Sequence, residues 1–173
     1  MCRSGMYESE AWGKPRDTAR LPAPRGNGYW SQEIYYEILN AGIRVPPSAG
    51  SASGVLPNPV GYNRVYVWIN PDIIVDRKFD GELTWQRWWN GLRAGRCFVT
   101  NGPLLVVRAN DKWPGHVFQS REPIDITLSA EILAQDNIPY VEVIKNGAID
   151  HTVPYNEWRR SGSLGKLRFD ESG

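Results

Sequence analysis

The chain has 173 residues but only two histidines, His116 and His151, and two cysteines, Cys2 and Cys97. A hydrolytic metal centre needs converging imidazoles and carboxylates, which must hold a dication and still leave it open to water and substrate. Neither histidine belongs to an HxH or HExxH pattern. Both fall in stretches that read as β-hairpin, where a surface or strand histidine is the simpler reading. No metal ligand set and no cofactor site is therefore expected in this chain. The cysteines form no CxxC or Cys/His cluster, and Cys97 lies in an apolar run that reads as core. A Cys97/His116 dyad could be drawn, but no third group is in place to orient it. A serine nucleophile would sit in GxSxG, whereas Gly50-Ser51-Ala52-Ser53-Gly54 places alanine at the centre and reads as a flexible turn. Residues 162–166 lack the spacing of a phosphate loop. Aromatic rings offer a different chemistry, as platforms for sugars or other flat ligands. Trp113 and Trp158, near turns, are the platform candidates; Trp85, Trp88 and Trp89 share a helical face and are expected to pack in a core or between domains.

The elements that must position these residues follow from pattern and composition. Hydrophobic residues at 41% and charged residues at 23% indicate a folded chain rather than a disordered one. Six basic and five acidic residues up to position 60, and fourteen of each after it, give no patch that would draw nucleic acid or an anionic membrane. No apolar run approaches the ~20 residues that cross a bilayer, and the N-terminus shows no signal-peptide core, so the chain reads as soluble. The 17 Gly, 13 Pro, 8 Trp and 8 Tyr suit a turn-rich β protein with aromatic anchors.

Residues 1–29, rich in proline and glycine without an apolar period, read as an extended or disordered arm. Ser31 then reads as the cap of a helix with Ile34, Ile38 and Ala41 on one stripe and Gly42 as its terminator. Ile43-Arg44-Val45 is a short strand candidate, and 62–69 alternate as a strand. Thr84 is read as the cap of a second helix in which Trp85, Trp88, Trp89 and Leu92 recur at helical spacing, ending at Gly95. From Arg96 the period becomes two. Strands are expected at 97–100, 104–109 and 124–132, and on either side of Asn146-Gly147, the strongest short hairpin signal available. A strand beginning at Leu167 reads as one that should continue. Together these give an α+β chain: 30–70 a β/α unit, 71–95 a linker and Trp-rich helix, and 96–173 an antiparallel β-sandwich.

Three blocks carry a resemblance: Tyr35-Tyr36-Glu37-Ile38-Leu39-Asn40-Ala41-Gly42-Ile43-Arg44-Val45-Pro46, Ser48-Ala49-Gly50-Ser51-Ala52-Ser53-Gly54-Val55, and Asn58-Pro59-Val60-Gly61-Tyr62-Asn63-Arg64-Val65-Tyr66-Val67. They resemble the end of the catalytic domain in CehA/McbA-type metallohydrolases of the PHP (polymerase and histidinol phosphatase) superfamily. Gly91-Leu92-Arg93-Ala94-Gly95-Arg96-Cys97-Phe98-Val99-Thr100-Asn101-Gly102-Pro103-Leu104 continues the likeness into the module that follows the barrel there. The resemblance runs from about Gly28 to Asp170. It implies that 30–70 are the terminal part of a distorted β/α barrel and that an Ig-like sandwich follows. It also implies divalent metals held by His and Asp ligands, and hydrolysis of phosphoester or related bonds in the parent family. On this reading the HxH ligands would lie upstream of Met1, and the late barrel loop, where an Asp and a His are often found, reads Ser51-Ala52-Ser53. The chain is then expected to be a catalytically incomplete fragment. Its barrel-loop candidates are Ser48, Ser51, Ser53, Asn58, Asn63 and Arg64. A lone β/α unit leaves its helix flank uncovered, so self-association through apolar surface is expected. The alternative is a non-catalytic sandwich module that binds carbohydrate or peptide through Trp113 and Trp158.

Overall fold

A computed structural model describes residues 17–22, 26–51, 53–54, 59–69 and 81–169. Helix α1 spans Gly26–Asn40 and so begins five residues before Ser31. Its early start corrects the expectation of an extended arm to residue 29 and of a cap at Ser31. Asp17 Oδ1 accepts from the Ala19 and Arg20 amides, and Arg20 then makes a two-pronged pair with Glu33 at 2.7 and 2.8 Å. The preceding turn is thereby held beside the helix, with Leu21 buried under it. At the other end Gly42, at φ +80°, donates to Leu39, and the Ile43 amide reaches back to Ile38, which satisfies two of the last helical carbonyls.

Residues 43–45 form no strand. Pro46 and Pro47 have no N–H to give a ladder, and the local polar groups find side chains instead: Tyr35 Oη donates to the Val45 carbonyl at 2.7 Å, and Arg44 Nη2 donates to the Gly115 carbonyl at 3.2 Å.

Strand β1, Arg64–Val67, lies antiparallel to β2, Cys97–Thr100, with Arg64 opposite Thr100 and Val67 opposite Cys97. Between them runs α2, Gly81–Arg93, which starts before Thr84 and ends as read, with Gly95 at φ +73° and the Arg96 amide reaching Gly91. The β1–β2 pairing crosses the boundary expected at Arg96. An antiparallel partner also differs from the parallel neighbours that a β/α barrel uses.

The remaining strands build two further antiparallel sheets. Strands β3 (Leu104–Ala109), β4 (Ile124–Leu133) and β7 (Ser163–Phe169) form one sheet with β4 in the middle; β5 (Tyr140–Lys145) and β6 (Ala148–Pro154) form a hairpin. Asn146 and Gly147 turn that hairpin, at φ +52° and +81°, the left-handed pair that a two-residue turn of this hand requires. One buried cluster draws on both sheets. Ala130 from β4, Val143 and Val153 from the hairpin, and Leu164 and Leu167 from β7 close around Trp158. Trp158 comes from α3, Tyr155–Ser161, a two-turn helix the sequence reading did not contain. Pro154 leads into it in an extended conformation, Glu157 sits in its first turn and Arg159 and Arg160 in its last, each favourable to the helix dipole. The chain is therefore α+β with antiparallel sheets.

Candidate functional site

The barrel-loop candidates are brought together in part, and the contacts are structural. Ser51 Oγ accepts from the Asn63 amide at 3.0 Å and donates to the Asn63 carbonyl at 3.2 Å, which clips the 46–54 loop to the start of β1. Asn63 is buried, and its side-chain amide reaches the Gly50 carbonyl at 3.4 Å. With the Ser51 hydroxyl both donating to and accepting from the Asn63 backbone, the arrangement holds the loop in place. Ser48 and Ser53 are exposed on the same loop. Asn58 lies outside the described residues. Arg64 projects from the start of β1 and donates to the carbonyls of Gly61 and Gly102 at 2.9 and 3.5 Å, so it ties the β2–β3 connection to β1. Thr100, buried, completes that tie by donating to Pro103 and accepting from the Gly102 amide.

The histidines and Cys97 stand apart in role. Cys97 is buried, its thiol faces the Pro47 carbonyl at 3.6 Å, and burial raises its pKa, which keeps it a thiol. No hydrogen bond joins it to His116, whose ring instead packs edge-on against Phe118 at 4.7 Å. His151 lies at the junction of two β-bulges. Asp150 is the extra residue in β6 and Leu164 the extra residue in β7. The ring reaches both: Nδ1 meets Asp150 Oδ2 at 2.7 Å and Nε2 meets the Leu164 carbonyl at 2.5 Å. Both partners are acceptors, so only the protonated ring can donate to both, and the hydrogen bonds to Asp150 and then Leu164 raise its pKa. The residue joins hairpin to sheet. Among the described residues no three His, Cys, Asp or Glu side chains converge as a metal site, so these residues do not by themselves fit the metal cluster that the resemblance implies.

The tryptophans are placed otherwise than expected. Trp158 is 8% exposed, with Tyr155 edge-on against it at 5.2 Å, and cannot serve as an external platform. A position next to a turn suggested exposure; α3 folds the ring inward instead. Trp113 has an Arg108 guanidinium 3.7 Å from its ring centre and the Trp68 ring at 4.4 Å. Two groups that close cannot share one face, so both faces of Trp113 are occupied. By contrast Trp85, Trp88 and Trp89 are not in the core of the chain. Trp85 is 60% exposed, and the three rings stack on one another at 5.4 to 6.1 Å, with Arg93 over Trp89.

No family model, curated protein or solved structure matches this chain.

Among the described residues three of the larger clefts offer places for a ligand. One of about 450 Å³ lies beside His116, Arg121 and Phe169; a second, of about 660 Å³, runs from Tyr35 to Cys97 along the 44–47 segment. The third, about 760 Å³, lies between the β1–β2 pair and the loop joining β4 to β5, and Arg64 on its wall is the one barrel-loop candidate that lines any of the three. Sequence reasoning missed its other polar members, Asn101 and Gln135-Asp136-Asn137. Their only signal was a cluster of turn-forming polar residues beyond a strand end, which reads as an ordinary loop.

Proposed function

We propose that this chain is the C-terminal portion of a PHP-type metal-dependent hydrolase and carries no complete catalytic centre of its own. In this reading 30–70 close a β/α barrel, the layers from β3 onward are an Ig-like sandwich, and the barrel that supplies the metals belongs to sequence outside the described residues. The observation that carries it is a pair of uncovered apolar faces. Ile34, Ile38 and Leu39 on α1, with Ile43 and Val45 beyond it, are exposed, and so are Trp85 and Trp89 on α2. Helices that pack on a barrel bury such faces against their neighbours. The four blocks of resemblance also meet: β1 pairs with β2, Ser51 is clipped to Asn63, and the Pro47 carbonyl faces the Cys97 thiol. The divalent metals of the parent family would polarise the scissile bond and supply hydroxide. The described residues offer no ligand set for such a cluster.

The test is biochemical and genomic. After incubation with Zn²⁺, Mn²⁺ or Fe²⁺ and gel filtration, the purified chain should retain no stoichiometric metal and should not hydrolyse p-nitrophenyl phosphate or bis-p-nitrophenyl phosphate. It should self-associate and bind a hydrophobic dye. Retained metal with turnover would overturn the incompleteness. A monomer that melts cooperatively at high temperature without dye binding would overturn the uncovered faces. A gene in which no HxH-bearing barrel is joined to this chain would overturn the hydrolase reading.

A further inference from the structure

We infer that the cleft between the β1–β2 pair and the β4–β5 connection is a binding site for a neutral saccharide. The inference is independent of the hydrolase reading. At about 760 Å³ the cleft has room for a ligand of mono- to disaccharide size, within the 300–1,000 Å³ usual for small-molecule sites. Its wall provides the two surfaces a sugar needs, a flat apolar one and a set of planar polar groups.

The flat surface is Tyr66. Its ring lies on Phe98, its cross-strand partner, with centroids 5.2 Å apart and planes 14° from parallel, so its orientation is fixed before any ligand arrives. It is nonetheless 39% exposed at the cleft, even with the Arg64 guanidinium 5.9 Å from its ring centre, well beyond the 3.7 Å at which Arg108 covers Trp113. Leu104 and Leu133, directly opposite each other where β3 meets β4, are also exposed and form an apolar rim. Such a rim suits the C–H face of a pyranose and gives nothing to a bare ion.

The polar groups are Asn101, Gln135, Asp136 and Asn137. None of their side chains has a hydrogen-bond partner within the described chain, so their donors and acceptors are available to a ligand. An amide places a donor and an acceptor in one plane, and each sugar hydroxyl both donates and accepts, so adjacent hydroxyls match these groups. Charge favours a neutral ligand. Among the described residues lining the cleft Arg64 is the one cation and Asp136 the one anion, so the wall carries no net charge that would draw a charged ligand. The Arg64 terminal nitrogens donate to Gly61 and Gly102, which holds the guanidinium in place.

The test is titration of the whole chain with maltose, cellobiose, lactose and mannobiose, followed by amide NMR, with choline chloride and sodium acetate as charged probes. Saturable binding of at least one disaccharide in the millimolar range is expected, with shifts at Asn101 and at 135–137. Tyr66→Ala and Asn137→Ala should each weaken it about tenfold or more. Asn137 lies in an exposed loop, so its variant keeps the wild-type melting temperature and remains informative if Tyr66→Ala loosens β1. The inference is overturned if none of the four sugars binds, if Asn137→Ala binds like wild type, or if either charged probe binds in the cleft more tightly than the sugars.

Discussion

Trp158→Ala measures how far one side chain holds the two sheets together. The indole is almost wholly buried among Ala130, Val143, Val153, Leu164 and Leu167. A tryptophan removes about 150–250 Å² from water, which at about 25 cal/mol per Å² corresponds to some 4–6 kcal/mol. The compactness of real unfolded chains trims that by roughly 10–40%. The edge-on contact with Tyr155 adds about 0.5–1.5 kcal/mol. Against this, the buried indole N–H has no hydrogen-bond partner among the described residues, a burden of about 1–3 kcal/mol that truncation would relieve. The net loss should be about 2–4 kcal/mol, at the lower side of the roughly 3–5 kcal/mol usual for truncating a buried aromatic. That is a large part of the 5–15 kcal/mol that holds a typical domain. Trp158→Phe removes the orphan donor but keeps a ring in the core, so it should fall within about 1.5 kcal/mol of wild type. Urea unfolding followed by far-UV circular dichroism, with the slope checked for constancy, gives both values. Equal losses in the two variants, or a loss under about 1 kcal/mol for alanine, would refute this account of the core.

Two further outcomes follow from the backbone and from His151. A Cβ on Gly115, at φ +84°, would lie 1.9 Å from the Ala94 carbonyl oxygen, so Gly115→Ala should cost well beyond the ~1–2 kcal/mol of a left-handed residue alone. Gly42→Ala, at φ +80° with open space around it, should show only that smaller amount in the same urea titration. The protonated His151 ring binds its proton more tightly in the folded chain than in the unfolded one. The stability this contributes is complete below the unfolded value of about 6.5, and it is lost as pH rises through the folded pKa. Asp150→Asn should flatten that part of the pH–stability curve, and NMR titration of the imidazole should place its midpoint above the ordinary histidine value; a midpoint at or below it would contradict the double-acceptor geometry.

How much of this was legible depended on how local the cause was. Asn146-Gly147, Gly42 and Gly95 were readable because a left-handed residue is a demand each turn makes on its own few neighbours. The alternation of β4 was readable because one face meets the core. The start of α1 was not, since the Arg20–Glu33 pair that holds the preceding turn spans thirteen residues and leaves no periodic trace. Seven residues are too few for α3 to display a helical stripe, and with α3 unseen Trp158 passed for a surface ring. Ile43-Arg44-Val45 has strand-like residues, yet a strand needs a partner, which nothing in three residues can supply. Of the site, Arg64 was named, but Asn101 and Gln135-Asp136-Asn137 come together only because Leu104 registers against Leu133. Register joins residues more than thirty positions apart, and no window along the sequence contains it.

The stack of Arg108, Trp113 and Trp68 has a consequence for how the molecule opens. Trp68 follows β1 directly, whereas Arg108 belongs to β3, so the stack connects the two-stranded β1–β2 sheet to the larger one. A two-stranded sheet is marginal by itself. The clasp works beside other ties, since Cys97 and Thr100 of β2 are buried and Gly95 lies against Gly115, so release of the Trp113 ring would loosen β1 and the Tyr66 wall while the core around Trp158 stays shut. Opening at this seam would reach the cleft before it reaches the core, with the Trp113 indole one of several contacts that hold it closed.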